Sequence, residues 1–533
     1  MRLSRIEWSN YRRLPDSAID IRNHLVLIGP NDVGKSSILR AIHLCVGLSG
    51  AQLTSAIQER DFTSTDLPLE LVLTLVELDG EERITFPDEI DLGPPEILRI
   101  KLSAEIDPSD PEAFNVSRSF PDSGRLRAPS RLQLDTVGWA YIPATRTLVR
   151  ELGSTSGSAI QSLLSSVDLG VDADSIKSAI ESLREAFDES SVFGDLRSEL
   201  AEALSGTLPK SIGKDDLHLR DEGEIAGDPL RGVVITINSE GADTPLSDQS
   251  DGLRAMSLLA VLGVSHRTAK IVGIDEPETH LHASAQRTIG RSLATGAGQR
   301  CVATHSSAIV SQMNPLDIVV FGADHRVRQL PLSSHISTSH EVTRHWSSRL
   351  LEPLTSRRLI LVEGPADRIL LQGIALTSAI DLDRFGVAIF ELDGSGFFGT
   401  AFDFFGPSGF DLPLTAMLDE DARINWAKKM NVDPSDLESM GFLVNSPDLE
   451  AVYIDALGND RILEILAASG MDATRIRRAI GLTPTSPIGS SELRSYCGHK
   501  NRKVRCSLAV SNGLKTSDLG NFSSHIELLK EAS

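Results

Sequence analysis

The sequence predicts an α/β protein in two parts: a P-loop-type α/β unit carrying a helical insertion, then a smaller, doubly wound, Rossmann-like sheet. Three stretches predict this. Residues 25–44 read as apolar strand, glycine-rich loop and helix. Residues 271–276 read as an apolar strand closed by two carboxylates. From residue 358 onward, three apolar strands follow one another with helical or loop segments between them, and acidic residues stand at their ends.

The first stretch is the most specific. Leu25–Ile28 is an unbroken apolar run, as expected of a buried strand. Gly29-Pro30-Asn31-Asp32-Val33-Gly34-Lys35-Ser36 fits G-x-x-x-x-G-K-[ST], and Ile38, Leu39, Ile42 and Leu44 then recur on one helical face. Gly29 and Gly34 let successive backbone N–H groups turn inward toward phosphate oxygens, and the helix N-terminus adds positive partial charge. Lys35 is expected to reach the β- and γ-phosphates of ATP, and Ser36 to offer its hydroxyl to Mg²⁺. Asn31 in the loop and Ser37 beside the hydroxyl complete the expected nucleotide-binding set.

The remaining elements can be taken in order. Residues 1–20 alternate apolar and polar positions and read as two short strands. Residues 67–78 and 97–106 read as further strands, and the Pro/Ser/Asp-rich region 108–129 as loop. Residues 137–143 read as a short core strand. From 152 to 215 the apolar spacing becomes helical with no strand between, which predicts a helical insertion and a candidate dimerisation element. Strands return from residue 217. Ser250-Asp251-Gly252 opens a helix: Ser250 is a suitable N-cap, Gly252 allows close backbone approach, and such a helix start is a phosphate site. Asp275, ending its strand, is expected to hold Mg²⁺. Glu276 is expected to polarise the attacking water as general base, and His305, ending the next strand, to touch the γ-phosphate.

In the second part, Leu359–Val362 is a buried strand with Glu363-Gly364 at its end, followed by a helix over 366–376. The strand VAIFEL ends at Asp393, and LTAML ends at Asp419-Glu420-Asp421. Ligands of such sheets bind at the carboxyl ends of the strands. Asp419 and Asp421 are two apart and would face one side in an extended segment. With Glu363 they form a set of hard oxygen ligands suited to Mg²⁺ or Mn²⁺.

The 533 residues are too many for one core, and their formal net charge of −22 argues against a generally basic nucleic-acid coat protein. A local basic patch can still steer a polyanion. Arg475, Arg477 and Arg478, and then Lys500, Arg502, Lys503 and Arg505, are basic clusters that read as solvated helix faces or as such a patch. Four scattered cysteines give no disulfide framework, and the spacing of Cys497, His499 and Cys506 fits no common zinc pattern. No apolar run approaches a membrane span and the first residues lack a signal-peptide pattern, so the expected location is the cytoplasm, with no membrane partner.

P-loop, degenerate signature SDG, IDEPETHLH and THS, in that order, resemble the ABC-type ATPases of the SMC and RecF group. GPNDVGKSS, YIPATR and EPETHLH are more similar to the OLD family, and no coiled-coil arm is present. Glu363-Gly364 with Asp419-x-Asp421 resembles a Toprim domain, and VEGPAD places Asp367 in its first motif. The resemblance implies an ABC-type ATPase head over 1–350 and a Toprim nuclease domain over 351–533. It implies an ATP-regulated, metal-dependent DNA endonuclease of the OLD type, acting in anti-phage defence or DNA repair. It further implies Asp448 and Glu450 as a second metal-ligand pair and Lys503 as the lysine near the scissile phosphate. DNA, a second copy of the chain in a homodimer or higher assembly, and a helicase, as for the nuclease subunit of Gabija systems, are the implied partners. One rival is a RecF-like, ATP-switched scaffold with an inactive Toprim domain. Another is topoisomerase-like strand passage, for which none of the four tyrosines has a recognisable setting.

Overall fold

A computed structural model describes residues 1–107, 110–123, 127–143, 170–172, 236–239, 242–249, 270–279, 281–296, 298–332 and 346–532, with isolated positions between 174 and 257. The helical insertion expected over 152–215, and Ser250 and Gly252, lie outside the described residues apart from such isolated positions. Along the chain the strands are β1 (Arg2–Ser9), β2 (Ser17–Asp20), β3 (Leu25–Ile28), β4 (Leu69–Val76), β5 (Ile90–Asp91), β6 (Ile97–Asp107), β7 (Asp110–Ser119), β8 (Trp139–Ile142), β9 (Thr236–Ser239), β10 (Ala242–Pro245), β11 (Ile271–Asp275), β12 (Gln299–Ala303), β13 (Ile318–Phe321), β14 (Val327–Gln329), β15 (Arg358–Val362), β16 (Val387–Glu391), β17 (Leu414–Asp419) and β18 (Phe442–Asn445). The helices that matter below are α1 (Lys35–Val46), α2 (Ala283–Thr295), α3 (Pro365–Thr377), α4 (Leu449–Leu457), α5 (Asn459–Ala468), α6 (Ala473–Ala479), α7 (Ser490–Cys497), α8 (Lys503–Gly513) and α9 (Ser523–Ala532).

Packing divides the chain into two compact units that interleave its segments. One comprises Met1–Ile6, Leu39–Gln58 and Glu70–Thr304; the other comprises Glu7–Ile38, Glu59–Leu69 and His305–Ser533. The linear boundary expected at 350 falls inside the second unit.

In the first unit, β11 runs parallel between β12 and β8, with Ile271 opposite Gln299 on one side and Trp139 on the other. All five β11 residues are buried, which is why its sequence is a continuous apolar run up to Asp275. The region 108–129, expected to be loop, contains β7. It pairs antiparallel with β6 from Lys101↔Ser119 to Ile106↔Phe114, with an irregularity at Ile106/Asp107. Pairing with a long neighbouring strand outweighs the turn preference of its Asp, Pro and Ser residues. Buried Glu82 accepts from the Met1 amino group and from Lys270, tying the chain start to the foot of β11.

In the second unit, β13 lies parallel to β3 and antiparallel to β14. A separate four-stranded parallel sheet has the order β16-β15-β17-β18. Its core includes Ile360, Val362, Leu370, Met417, Tyr453 and Val510. From β15 the chain first adds β16 on one side and then β17 on the other. The carboxyl ends of β15 and β17 are therefore the switch point, where such sheets open a crevice. Helix α8 packs closely on α3: a Cβ at Gly373 would lie 2.2 Å from Ser511 Oγ, so glycine is needed for the approach. Cys45, Cys301, Cys497 and Cys506 are buried and unbridged. Among the described residues no helix is long and apolar enough to cross a membrane.

Candidate functional site

The P-loop has the geometry its sequence predicts. Gly29 and Gly34 have φ of 151° and 106°, and Asp32 between them has φ 64°. A Cβ on Gly29 would stand 2.4 Å from the Phe321 carbonyl oxygen of the adjacent strand, so only glycine fits there. Lys35 is 6% exposed, and its ammonium donates to the carbonyls of Gly29 (3.0 Å) and Pro30 (2.6 Å). Ser36 is exposed at the helix start beside exposed Asn31. Ser37 is buried instead; its hydroxyl accepts from Arg12 and its carbonyl from the Tyr11 hydroxyl, so it anchors the helix to the segment after β1.

Asp275 and Glu276 belong to the other unit. Asp275 ends β11 and is buried. Glu276 has φ 49°, a left-handed conformation that costs a non-glycine residue, and its N–H donates to the Ala303 carbonyl at 2.9 Å. Strain at the residue expected to act as base is a feature the sequence did not announce. Glu278 is held by the buried Thr304 hydroxyl at 2.8 Å. His305, expected to end the next strand, lies two residues beyond the end of β12 and falls in the second unit.

The second site gathers at the switch point of the four-stranded sheet. Glu363 follows β15, and its Oε1 accepts from the Asp419 N–H at 2.9 Å. Asp419 ends β17, and its Oδ1 accepts from the Leu449 N–H at 3.0 Å, which ties β17 to the start of α4. Asp367, in the first turn of α3, is buried and accepts from the Gly364 N–H. Glu450, in the first turn of α4, is 2% exposed, and its Oε1 has no hydrogen-bond partner. Lys503, at the start of α8, places its ammonium 3.6 Å from Asp419 Oδ2 and 3.6 Å from Glu450 Oε2. Four segments separated by up to about 140 positions in the chain thus meet around one amine.

Burial sets the electrostatics. It pushes Glu363 and Asp367 up to about 7, with neighbouring carboxylates adding to the effect. Burial also raises Asp419 and Glu450, more than Lys503 lowers them. Burial lowers Lys503, but Glu450, Asp419, Asp367 and Glu363 outweigh it and hold the amine charged. One ammonium does not neutralise this many carboxylates, so the cluster attracts further positive charge.

One expectation needs correction. Asp419 and Asp421 do not share a face of an extended strand: Glu420–Ala422 forms a 3-10 turn, so Asp421 is exposed and reaches the site through its charge on Glu363. Asp448 and Glu450, expected as a second ligand pair, have different surroundings. Asp448 caps α4, with Oδ1 accepting from the Ala451 N–H, and its Oδ2 is held by Arg494 at 2.8 and 3.0 Å. Among the described residues no three His, Cys, Asp or Glu side chains are arranged to share one ion, and Lys503 lies 3.6 Å from both Asp419 and Glu450. The donor set nevertheless fits Mg²⁺ or Mn²⁺: it is all carboxylate oxygen, it carries excess negative charge, and Glu450 Oε1 is unpartnered.

Sequence reasoning missed Arg494 and Asn445. Asn445 is opposite Asp419 in register and 1% exposed, and its side-chain amide offsets part of the burial effect on Asp419 by hydrogen bonding. Its position at the end of a short apolar run was the available signal. Arg494 had none.

Comparison with known proteins agrees with both halves. Residues 25–311 match the family described as AAA domain, putative AbiEii toxin, Type IV TA system. Residues 354–421 match the Overcoming lysogenization defect protein-like TOPRIM domain. The OLD nuclease of Thermus scotoductus is 24% identical over 455 residues, covering 79% of this chain and 82% of that protein. Endonuclease GajA of Bacillus cereus is 21% identical over 493 residues, covering 85% and 81%. Among solved structures, an SMC head bound to the C-winged helix domain of ScpA aligns at 15% identity and TM-score 0.39, over 62% of this chain and 98% of that one. The C-terminal region of the Burkholderia pseudomallei OLD protein aligns at 20% identity and TM-score 0.27, over 33% and 99%. With more than half its length matched, the chain belongs to the family described as AAA domain, putative AbiEii toxin, Type IV TA system, and it carries an OLD-like Toprim domain after it.

Proposed function

We propose that the chain is an ATP-regulated DNA endonuclease that requires a divalent cation, with its ATPase domain over 1–350 and its Toprim domain over 351–533. The observation that carries this reading is Lys503, 3.6 Å from both Asp419 and Glu450 in a cluster of buried carboxylates. Glu363, Asp419 and Glu450, with Asp367 and Asp421 beside them, would hold Mg²⁺ or Mn²⁺, which when bound supplies an acidified water and stabilises the leaving oxygen. Asp419 and Glu363 are held in place by the Leu449 N–H and the Asp419 N–H. Lys503 is kept charged by its neighbours and would stabilise the extra charge on phosphate in the transition state. A scaffold protein would have no use for a buried carboxylate oxygen without a partner, which disfavours the RecF-like alternative.

In the ATPase domain, Lys35, Ser36 and Asp275 would bind Mg²⁺-ATP and Glu276 would activate water. One chain has one P-loop and one signature, so two chains would combine, most simply as a twofold dimer. Mass photometry with and without ATP tests this, and a strictly monomeric mass in both counts against it. A role in anti-phage defence beside a helicase is the biological setting proposed, read out by phage plating on cells expressing the chain. The decisive test of the reaction is nicking of supercoiled plasmid in Mg²⁺ or Mn²⁺ against EDTA, each with and without ATP. Intact plasmid under every condition would return the chain to the scaffold reading.

A further inference from the structure

The late basic clusters remain to be explained. Between residues 473 and 508 there are eight basic residues and one acidic residue, in a chain of net charge −22. Several exposed basic side chains elsewhere are paired: Arg83 with Glu96, Arg131 with Asp135, Lys429 with Asp403. Among the described residues, Arg475, Arg478, Lys500, Arg502 and Arg505 form no ion pair. The acidic side chains on these elements are spent on backbone: Asp472 caps α6, and Glu492 accepts from the Gly489 N–H.

The fold brings these cations together. Arg475 Nη1 donates to the Gly470 carbonyl at 3.2 Å, and Arg505 Nη2 to the Ser469 carbonyl at 3.3 Å, so both converge on the turn that ends α5. Arg478 is three residues from Arg475, on the same face of α6. Arg502 lies over the Tyr496 ring at 4.5 Å and donates to the Tyr496 carbonyl, which fixes it between α7 and α8. The next residue is Lys503, which reaches the carboxylate cluster. Arg475, Arg478, Lys500 and Arg505 are exposed. Several guanidinium groups held by neutral carbonyls and left without anions suit a linear polyanion.

We propose that the face formed by α6, the α7–α8 connection and α8 is a track for the phosphate backbone of duplex DNA, leading to Lys503. The proposal rests on the nuclease reading. It assigns substrate binding to side chains that lie outside the carboxylate cluster. Charge on this face serves affinity without base specificity, since phosphate contacts position a duplex but do not read it.

The test is fluorescence anisotropy of the full chain with a labelled duplex in EDTA, across a salt series. Arg475→Gln/Arg478→Gln/Arg505→Gln should weaken binding about tenfold or more at ~0.1 M salt, and flatten the slope of log K against log salt by up to ~0.9 per lost contact. The triple Lys variant at the same positions should stay within about threefold of wild type, since a point charge suffices for phosphate. Arg326→Gln/Arg384→Gln/Lys428→Gln removes equal charge from other elements and should shift affinity less than about twofold. An unchanged affinity and slope in the first variant overturns the track. So does equal loss in the lysine or control variant, or tighter binding of duplex RNA than of DNA. A chain that binds DNA through this face yet nicks no plasmid keeps the track and loses the nuclease reading. One that nicks plasmid while the first variant binds normally does the reverse.

Discussion

The two lysines that organise this protein are held in opposite ways. Lys35 sits in a loop of consecutive residues and donates to two neutral carbonyls of that loop. Lys503 sits at the start of a distant helix and faces two carboxylates at 3.6 Å, beyond hydrogen-bond length. Both lie at the carboxyl ends of parallel strands, where α/β sheets place ligands. The P-loop binds through backbone N–H groups that any glycine turn of that shape supplies. The Toprim site depends on side chains brought in by β15, β17, α4 and α8. The first should therefore tolerate change around it and fail at one residue; the second should fail at several.

The largest effect expected is at the carboxylates. Asp419→Ala or Glu450→Ala should lower DNA cleavage by at least about 10²- to 10³-fold, as for loss of a main charge-stabilising group. ATP hydrolysis should stay near the wild-type rate. Wild-type nicking by Asp419→Ala would make the cluster structural. The corresponding change in the first site is Lys35→Ala, which should abolish detectable ATP binding. Glu276→Gln should keep binding but slow turnover by about 10²-fold, because an amide does not polarise water. Equal ATPase rates for the glutamine variant and wild type would remove Glu276 from its role.

Smaller effects sharpen the contrast between Glu450 and Asp448, two residues apart on the same helix start. Asp448→Ala loses an N-cap, worth about 1 kcal/mol, and Tm should fall by ~2–4 °C for a unit of this size. Cleavage should drop far less than in Glu450→Ala. Arg494→Ala removes only the half-exposed partner of that cap and should cost less again. Equal cleavage losses in Asp448→Ala and Glu450→Ala would support the ligand pair that the sequence suggested.

This contrast also explains how far the sequence could be read. The P-loop was legible because its chemistry is local: four apolar residues, two glycines and a helix in one run of 20 positions. The DxD spacing was legible as acidic residues at a strand end but misread in geometry, because β17 stops at Asp419 and a 3-10 turn follows. Strand β7 was hidden because antiparallel pairing with β6, a tertiary effect, decides it. Lys503 needed the family resemblance, and Arg494 was not legible at all. Nothing near either residue in the chain says that α7 and α8 end beside α4.

The last prediction uses two buried groups of the second unit with opposite signs. Glu363 and Asp367 titrate near 7, above their ordinary 4.5 and 3.8, because burial disfavours the carboxylate. A raised pKa contributes stability below the unfolded value and loses it as pH rises through the folded one. His525 is 4% exposed and is lowered from 6.5 to about 4 by burial alone, with Nε2 unpartnered. It contributes stability above 6.5 and loses it as pH falls through 4. Between pH 4 and 6.5 the two slopes oppose. Of these three groups only the carboxylates titrate from about 6.5 to 7.5, so in EDTA their contribution should lower the Tm over that step by about 2–4 °C. Glu363→Gln should flatten this neutral limb and leave the acid limb in place. His525→Gln should do the opposite. If the neutral limb is flat in the wild-type protein, burial does not hold these carboxyls protonated.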